Sequence, residues 1–147
     1  LNSKGNTPVD SFHRELGSVM IDRCGISRNA DGLRQGLEQV KALEQRFEAE
    51  VRVPGETSGP NAELEKALRV KDFFGLAQLM LRDALAREES CGAHFREEHQ
   101  SEEGEAQRDD VNFAHIAAWE HKADGEPIRH SEPLQFTALQ PSTRSYK

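Results

Sequence analysis

The chain has 147 residues with a mean hydropathy of -0.76, 35% apolar and 31% charged, enough for one domain with an economical core and too little for two. Its 26 acidic and 19 basic residues leave a net charge of -7, which disfavours a nucleic-acid binder because phosphate contacts need a basic face. No apolar run nears the roughly 20 residues that cross a bilayer, no charged-then-apolar leader is read at Leu1, and two cysteines, Cys24 and Cys91, suit a reducing compartment. The expectation is a cytosolic chain.

Thr7-Pro8 predicts a helix opening, with a hydroxyl cap before a preset φ. Val9, Phe12, Leu16, Val19 and Met20 then recur at steps of three and four, giving a helix over 8–24 that Gly25 closes. Asn29 or Asp31 caps a second helix, whose stripe is Leu33, Leu37, Val40, Leu43, Phe47 and Val51 and which ends before Pro54. Pro54, Gly55, Gly59 and Pro60 make 53–60 a loop. Asn61 restarts the helix, and a third, longer one is expected over about 61–89, with Glu65–Arg69 and Asp83–Arg87 pairs on its wet side. Short connections make the three an antiparallel bundle.

The second half of that helix carries Phe73, Phe74, Leu76, Ala77, Leu79, Met80, Leu81, Ala84 and Leu85, more than one face's worth of apolar residues. Either the C-terminal tail folds back over it, or another domain or subunit covers it. Residues 97–105 hold five glutamates without apolar periodicity and read as a solvated loop. Beyond them, 113–119 and 128–136 flank Ala123-Asp124-Gly125-Glu126, the signal of a β-hairpin with a tight turn, although His115-Ile116-Ala117-Ala118 also suits a short helix. The expected fold is therefore mainly α: a spectrin-repeat-like three-helix bundle over 1–98, followed by an acidic loop, a β-hairpin and an extended tail over 99–147.

Constellations for chemistry are weak. Cys91, His94 and His99 are ligand types zinc accepts, but no second spaced pair accompanies them, so no metal is assigned. Cys91 with His94 resembles the parts of a thiol nucleophile, against which a packed cysteine at a helix end is the preferred reading. The carboxylate pairs Glu88-Glu89 and Asp109-Asp110 would need a dry cleft to do acid-base work. No Gly-x-Gly-x-x-Gly and no Gly-Lys-Ser loop is present to cradle a dinucleotide.

Three segments stand out together: 87–96, Arg-Glu-Glu-Ser-Cys-Gly-Ala-His-Phe-Arg; 108–113, Arg-Asp-Asp-Val-Asn-Phe; and 144–147, Arg-Ser-Tyr-Lys. With Arg28-Asn29-Ala30-Asp31-Gly32-Leu33 and Gly36-Leu37-Glu38-Gln39-Val40, they resemble the C-terminal domain of the flavoprotein subunit of succinate dehydrogenase and fumarate reductase. Cys91 stands where many relatives carry arginine, and Glu97-Glu98 replaces their aspartate, so no role of an arginine at 91 carries over. Aspartate oxidase and adenylylsulfate reductase are related alternatives, and a free-standing three-helix interaction module is another.

The resemblance implies a parent that interconverts succinate and fumarate on FAD and passes electrons to an iron-sulfur subunit. It also implies that the flavin-binding and capping domains, with all catalytic and flavin-binding residues, lie upstream of this region. The chain itself is then expected to be catalytically silent and to bind neither FAD nor metal. It would sit at the inner face of the bacterial cytoplasmic membrane and reach the membrane anchor only through partner subunits. His94, Arg96, Arg108, Asp109, Arg144 and Tyr146 are the candidates for docking against the other domains, with local pairing of Arg108 and Asp109 as the alternative for those two.

Overall fold

The computed structural model describes residues 4–56 and 58–142; Arg144 and Tyr146 lie outside the described residues. The elements in chain order are β1 (Thr7–Pro8), α1 (Val9–Cys24), β2 (Ser27–Arg28), α2 (Ala30–Glu50) and β3 (Val51–Arg52). They continue with α3 (Ala62–Ala86), β4 (Phe95–Arg96), α4 (Asp110–Phe113), β5 (His115–Glu120) and β6 (Ile128–Pro133). The expected mainly helical fold is thus present, with α1, α2 and α3 bundled and β5 and β6 forming the antiparallel hairpin.

Each long helix places one phenylalanine at the centre. Phe12, Phe47 and Phe74 are fully buried, with ring centroids 5.3 Å apart from Phe12 to Phe47 and 5.4 Å from Phe47 to Phe74. Around them pack Val9, Leu16, Leu33, Val40 and Leu43 from the stripes visible in the sequence, with Val70 and Leu81 from α3. The bundle is tight where α2 passes its neighbours: a Cβ on Gly36 would lie 2.9 Å from both the Arg23 Cβ and the Leu81 Cδ2.

Helix starts follow the expected chemistry in two of three cases. The Asn29 side chain accepts from the Gly32 amide at 2.8 Å, and the Asn61 side chain accepts from the Leu64 amide at 3.1 Å. Asn61 also donates to the Pro54 and Glu56 carbonyls, which closes the preceding loop. Thr7 does not cap α1. It is extended and pairs in parallel with Val51, so Pro8 occupies the cap position and no side chain caps the helix. Strand β2 pairs in parallel with β4, Ser27 opposite Phe95 and Arg28 opposite Arg96, which brings the segment after α3 alongside the α1–α2 junction.

Helix α3 stops at Ala86, three residues before the expected end. The Glu65–Arg69 pair is present, but the Arg87 guanidinium turns to Glu89 instead of Asp83. The hairpin loop spans 121–127 between β5 and β6, longer than a two-residue Asp-Gly turn, with Gly125 at φ +105°. The acidic segment is not wholly solvated: Glu97 accepts from Ser27 in β2 and from Asn29, and Glu98 accepts from the Ala30 amide at the start of α2.

The hairpin covers one flank of α3, where Trp119 Nε1 donates to Asp83 at 2.9 Å and Arg82 pairs with Glu126. The other flank stays open, with Leu68, Phe73, Leu76 and Met80 all exposed. Urea unfolding therefore separates the two faces of α3. Phe74→Ala is expected to cost about 3–5 kcal/mol, whereas Leu76→Ala on the open flank changes stability by about 0.5 kcal/mol or less.

Candidate functional site

The most distinctive segment of the sequence, 87–96, folds as a knot of buried polar groups at the C-terminal end of α3. A helix end leaves four carbonyls without intrahelical partners. Here the Arg87 amide takes the Asp83 carbonyl, and one nitrogen of Arg96, Nη1, donates to the carbonyls of Ala84 at 2.9 Å, Leu85 at 3.2 Å and Arg87 at 3.2 Å. Arg96 is 2% exposed, and its Nε donates to Glu98 at 3.2 Å. Its own backbone is gripped by fully buried Ser90, whose hydroxyl accepts from the Arg96 amide at 2.8 Å and lies 3.1 Å from the Arg96 carbonyl.

Glu89 completes the knot from the other side. It is 2% exposed, accepts from Arg87 through one oxygen and from the Asp109 amide at 2.9 Å through the other. Arg87 in turn donates to the Phe113 carbonyl. The first and second distinctive segments are thereby joined: Glu89 holds the start of 108–113 against the end of α3.

The expected docking residues divide sharply. Arg96 points into its own chain, with Nη1 donating to carbonyls at the end of α3 and Nε to Glu98, so the geometry directs it to helix capping instead of to a second domain. His94 is half-buried; its Nε2 faces the Arg87 carbonyl at 2.9 Å, where it serves as the donor, and desolvation pushes its pKa down. Arg108 pairs with Asp110 and not with Asp109, and its Nη1 reaches the Ser142 carbonyl at 3.4 Å. Asp109 caps the short α4, accepting from the Asn112 side chain at 2.8 Å and its amide at 3.1 Å, and these bonds hold its carboxyl below the ordinary range.

Cys91 and His94 exchange backbone hydrogen bonds at 2.8 and 3.1 Å, while the His94 ring nitrogen Nε2 is held by the Arg87 carbonyl, an arrangement of a packed turn. Among the described residues no cluster of three or more His, Cys, Asp or Glu side chains is set to hold a metal. Sequence reasoning missed Glu89, Ser90 and Glu98 as structural fasteners. Glu98 accepts from the Ala30 amide and from Arg96; burial opposes its ionisation, but these bonds leave its pKa lowered. The available signal for Glu89 and Ser90 was a Glu-Ser dipeptide that begins four residues beyond the last periodic apolar residue, Leu85.

Residues 13–146 match the family described as fumarate reductase flavoprotein C-term. The chain belongs to this family. It is 30% identical over 146 residues to the fumarate reductase flavoprotein subunit of Escherichia coli K12, covering 99% of this chain and 23% of that protein. L-aspartate oxidase 2 of Ralstonia nicotianae is 32% identical over 120 residues, covering 82% of this chain and 20% of the relative. A solved quinol-fumarate reductase with menaquinol molecules superposes with a TM-score of 0.79 at 30% identity, over 97% of this chain and 24% of that one. The chain thus spans about a quarter of the length of the flavoprotein subunits it matches.

Two outcomes follow from the knot. Arg96→Ala and Arg96→Lys are both expected to destabilise the chain by about 1.5–3 kcal/mol, because an ammonium cannot reproduce the guanidinium's spread over the carbonyls and Glu98. Matched urea titrations of the two variants measure this. The folded state holds His94 less basic than the unfolded chain does, so the unfolded state takes up the proton first on acidification. The stability of neutral His94 is present above the ordinary histidine value of about 6.5 and is lost as pH falls below it. Melting temperatures are therefore expected to drop more steeply between about pH 7 and 5.5 for the native chain than for His94→Gln.

Proposed function

We propose that this chain is the C-terminal buttress of a flavoprotein subunit that interconverts succinate and fumarate. On this reading, the FAD-binding and substrate-capping domains are other parts of the same polypeptide. Electrons pass to an iron-sulfur subunit, and the complex sits at the inner face of the bacterial cytoplasmic membrane, which this subunit meets only through its partners. The observation that carries the reading is the family match over 13–146 in a chain that equals about a quarter of its relatives. Among the described residues no helix is long and apolar enough to cross a membrane.

The residues present do not fit FAD. A flavin dinucleotide needs bare helix N-terminal amides behind a glycine-rich loop to hold its diphosphate. The α2 start is closed by Asn29 and Glu98, the α3 start by Asn61, and α1 opens with Asp10 in its first turn. No chemical step is therefore assigned to these 147 residues. Their contribution is mechanical: the bundle over 1–98 and the hairpin segment over 99–147 act as one support. Arg108, and Arg144 and Tyr146 in the terminal segment, remain the proposed contacts to the flavin domain.

A second reading, an aspartate oxidase parent, is supported by the Ralstonia relative. The 147-residue chain is expected to purify colourless and to leave added FAD fluorescence unquenched, while the full subunit carries flavin and reacts with succinate or fumarate. Stoichiometric flavin in the isolated chain would overturn the buttress reading. Turnover of L-aspartate, with none of succinate or fumarate by the full subunit, would replace the parent with an aspartate oxidase.

A further inference from the structure

A cleft of about 580 Å³ lies between the end of α1, the open flank of α3 and the inner face of β5. Its walls are apolar where Leu76, Leu79 and Met80 line it, and Arg28 stands at its end beside Cys24. Arg28 is a cation without a matching anion among the described residues. Its Nη1 faces the Cys24 sulfur at 3.8 Å, its Nη2 donates to the Ala93 carbonyl at 3.3 Å, and its buried Nε has no acceptor. A thiol is a weak acceptor, and desolvation raises the Cys24 pKa, so the sulfur supplies no negative charge.

The other charged groups around the cleft are committed elsewhere. Arg87 is paired with Glu89, and His94 is held by the Arg87 carbonyl. Asp83, the one acidic lining residue, accepts from Trp119 and lies 3.8 Å from Arg129. What remains is a half-buried guanidinium facing an apolar trough, and the trough continues along α1 and α3 past Met20 and Phe73. The complementary surface is a short apolar strip ending in a carboxylate, which could grip Arg28 through charge-assisted bonds.

We propose that this cleft receives an acidic side chain on an apolar segment from the part of the subunit outside these 147 residues, and that Arg28 pairs with it. The proposal rests on the buttress reading. The chain's own tail is a poor occupant: Ser142 sits against Arg108, in a different cleft, and the last five residues carry no acidic side chain. A second copy is disfavoured by the net charge of -7 on each chain.

The test uses the full-length subunit with a photo-cross-linking benzoyl probe at Leu76, a second at Ile116 on the outer face of the hairpin, and mass-spectrometric mapping. The Leu76 probe is expected to label a segment of the same polypeptide outside this region, with Asp or Glu beside apolar residues. Arg28→Gln is expected to lower that yield about tenfold, as loss of one charge-assisted contact would, and Arg28→Lys to restore part of it. Leu76 is exposed, so with the probe moved to Met80, Leu76→Glu tests the same point in a variant whose core is untouched: the introduced carboxylate should occupy Arg28 and abolish labelling. Labelling of residues 134–147, of a second copy or of another subunit overturns the proposal, as does a yield unchanged by Arg28→Gln and Leu76→Glu. Failure at Leu76 with intrachain labelling at Ile116 rejects the cleft alone; failure of both probes to reach the rest of the subunit rejects the buttress reading as well.

Discussion

The fold depends on how α3 ends. A 25-residue helix that stops inside the protein exposes carbonyls which water cannot reach, and leaving them unpaired would cost more than the helix gains there. Arg96 resolves this with a single buried guanidinium, favoured by the partial negative charge at a helix C-terminus and by Glu98. Because Arg96 lies in β4, the cap also fixes the β2–β4 pairing, and because Glu98 follows, it reaches the Ala30 amide at the start of α2. One side chain thus ties the end of α3 to the beginning of α2. Ser90 and Glu89 extend the tie to Gln107 and Asp109, so the long irregular stretch before the hairpin is held by hydrogen bonds instead of by a core.

That distinction explains what could be read from the sequence. Helices α1 and α2 were legible because burial of one face imposes a spacing of three and four, with Phe12 and Phe47 on those stripes, and α3 was legible from its restart at 61, its Glu65–Arg69 spacing and a broad apolar second half that includes Phe74. Asn29 and Asn61 were legible as caps because each precedes a periodic run. The hairpin was legible from the two runs that flank Asp124-Gly125, though not its longer loop. Thr7 was misread because a hydroxyl before proline suits both a cap and a strand edge, and only the distant Val51 decides between them. The inward-facing Glu89, Ser90 and Arg96 were illegible as core residues: polar side chains in an aperiodic stretch look solvated unless their partners are known. The family resemblance marked the segment as special, yet it assigned Arg96 outward, whereas the geometry turns it in.

Polar fastening has a consequence for the surface. A chain that closes its irregular half with hydrogen bonds does not need every large apolar residue for its own core, and this one leaves Leu68, Phe73, Leu76 and Met80 on α3 and Ile116, Ile128, Leu134 and Phe136 on the hairpin and tail exposed. Scattered exposed apolar residues are ordinary, but Phe73, Leu76 and Met80 line one trough between α1 and α3, and Ile116 and Ile128 share the outer side of the hairpin. For the proposed buttress, such a division would separate folding from docking: the bundle keeps its shape through buried phenylalanines and the Arg96 knot, while the free energy of association would reside in residues the bundle does not use.

The same separation bears on how the proposed buttress would act on a flavin domain. Positioning a cofactor and a substrate requires supports that move little, and rigidity comes from fully satisfied polar networks more than from apolar contact, which tolerates sliding. The knot at 87–96 offers that rigidity next to the cleft that ends at Arg28, since Arg87 and His94 belong both to the network and to the cleft wall. A partner segment seated there would rest on atoms whose positions are fixed by buried hydrogen bonds, so strain at the docking surface would be passed to α3 as a unit instead of being absorbed by a loop.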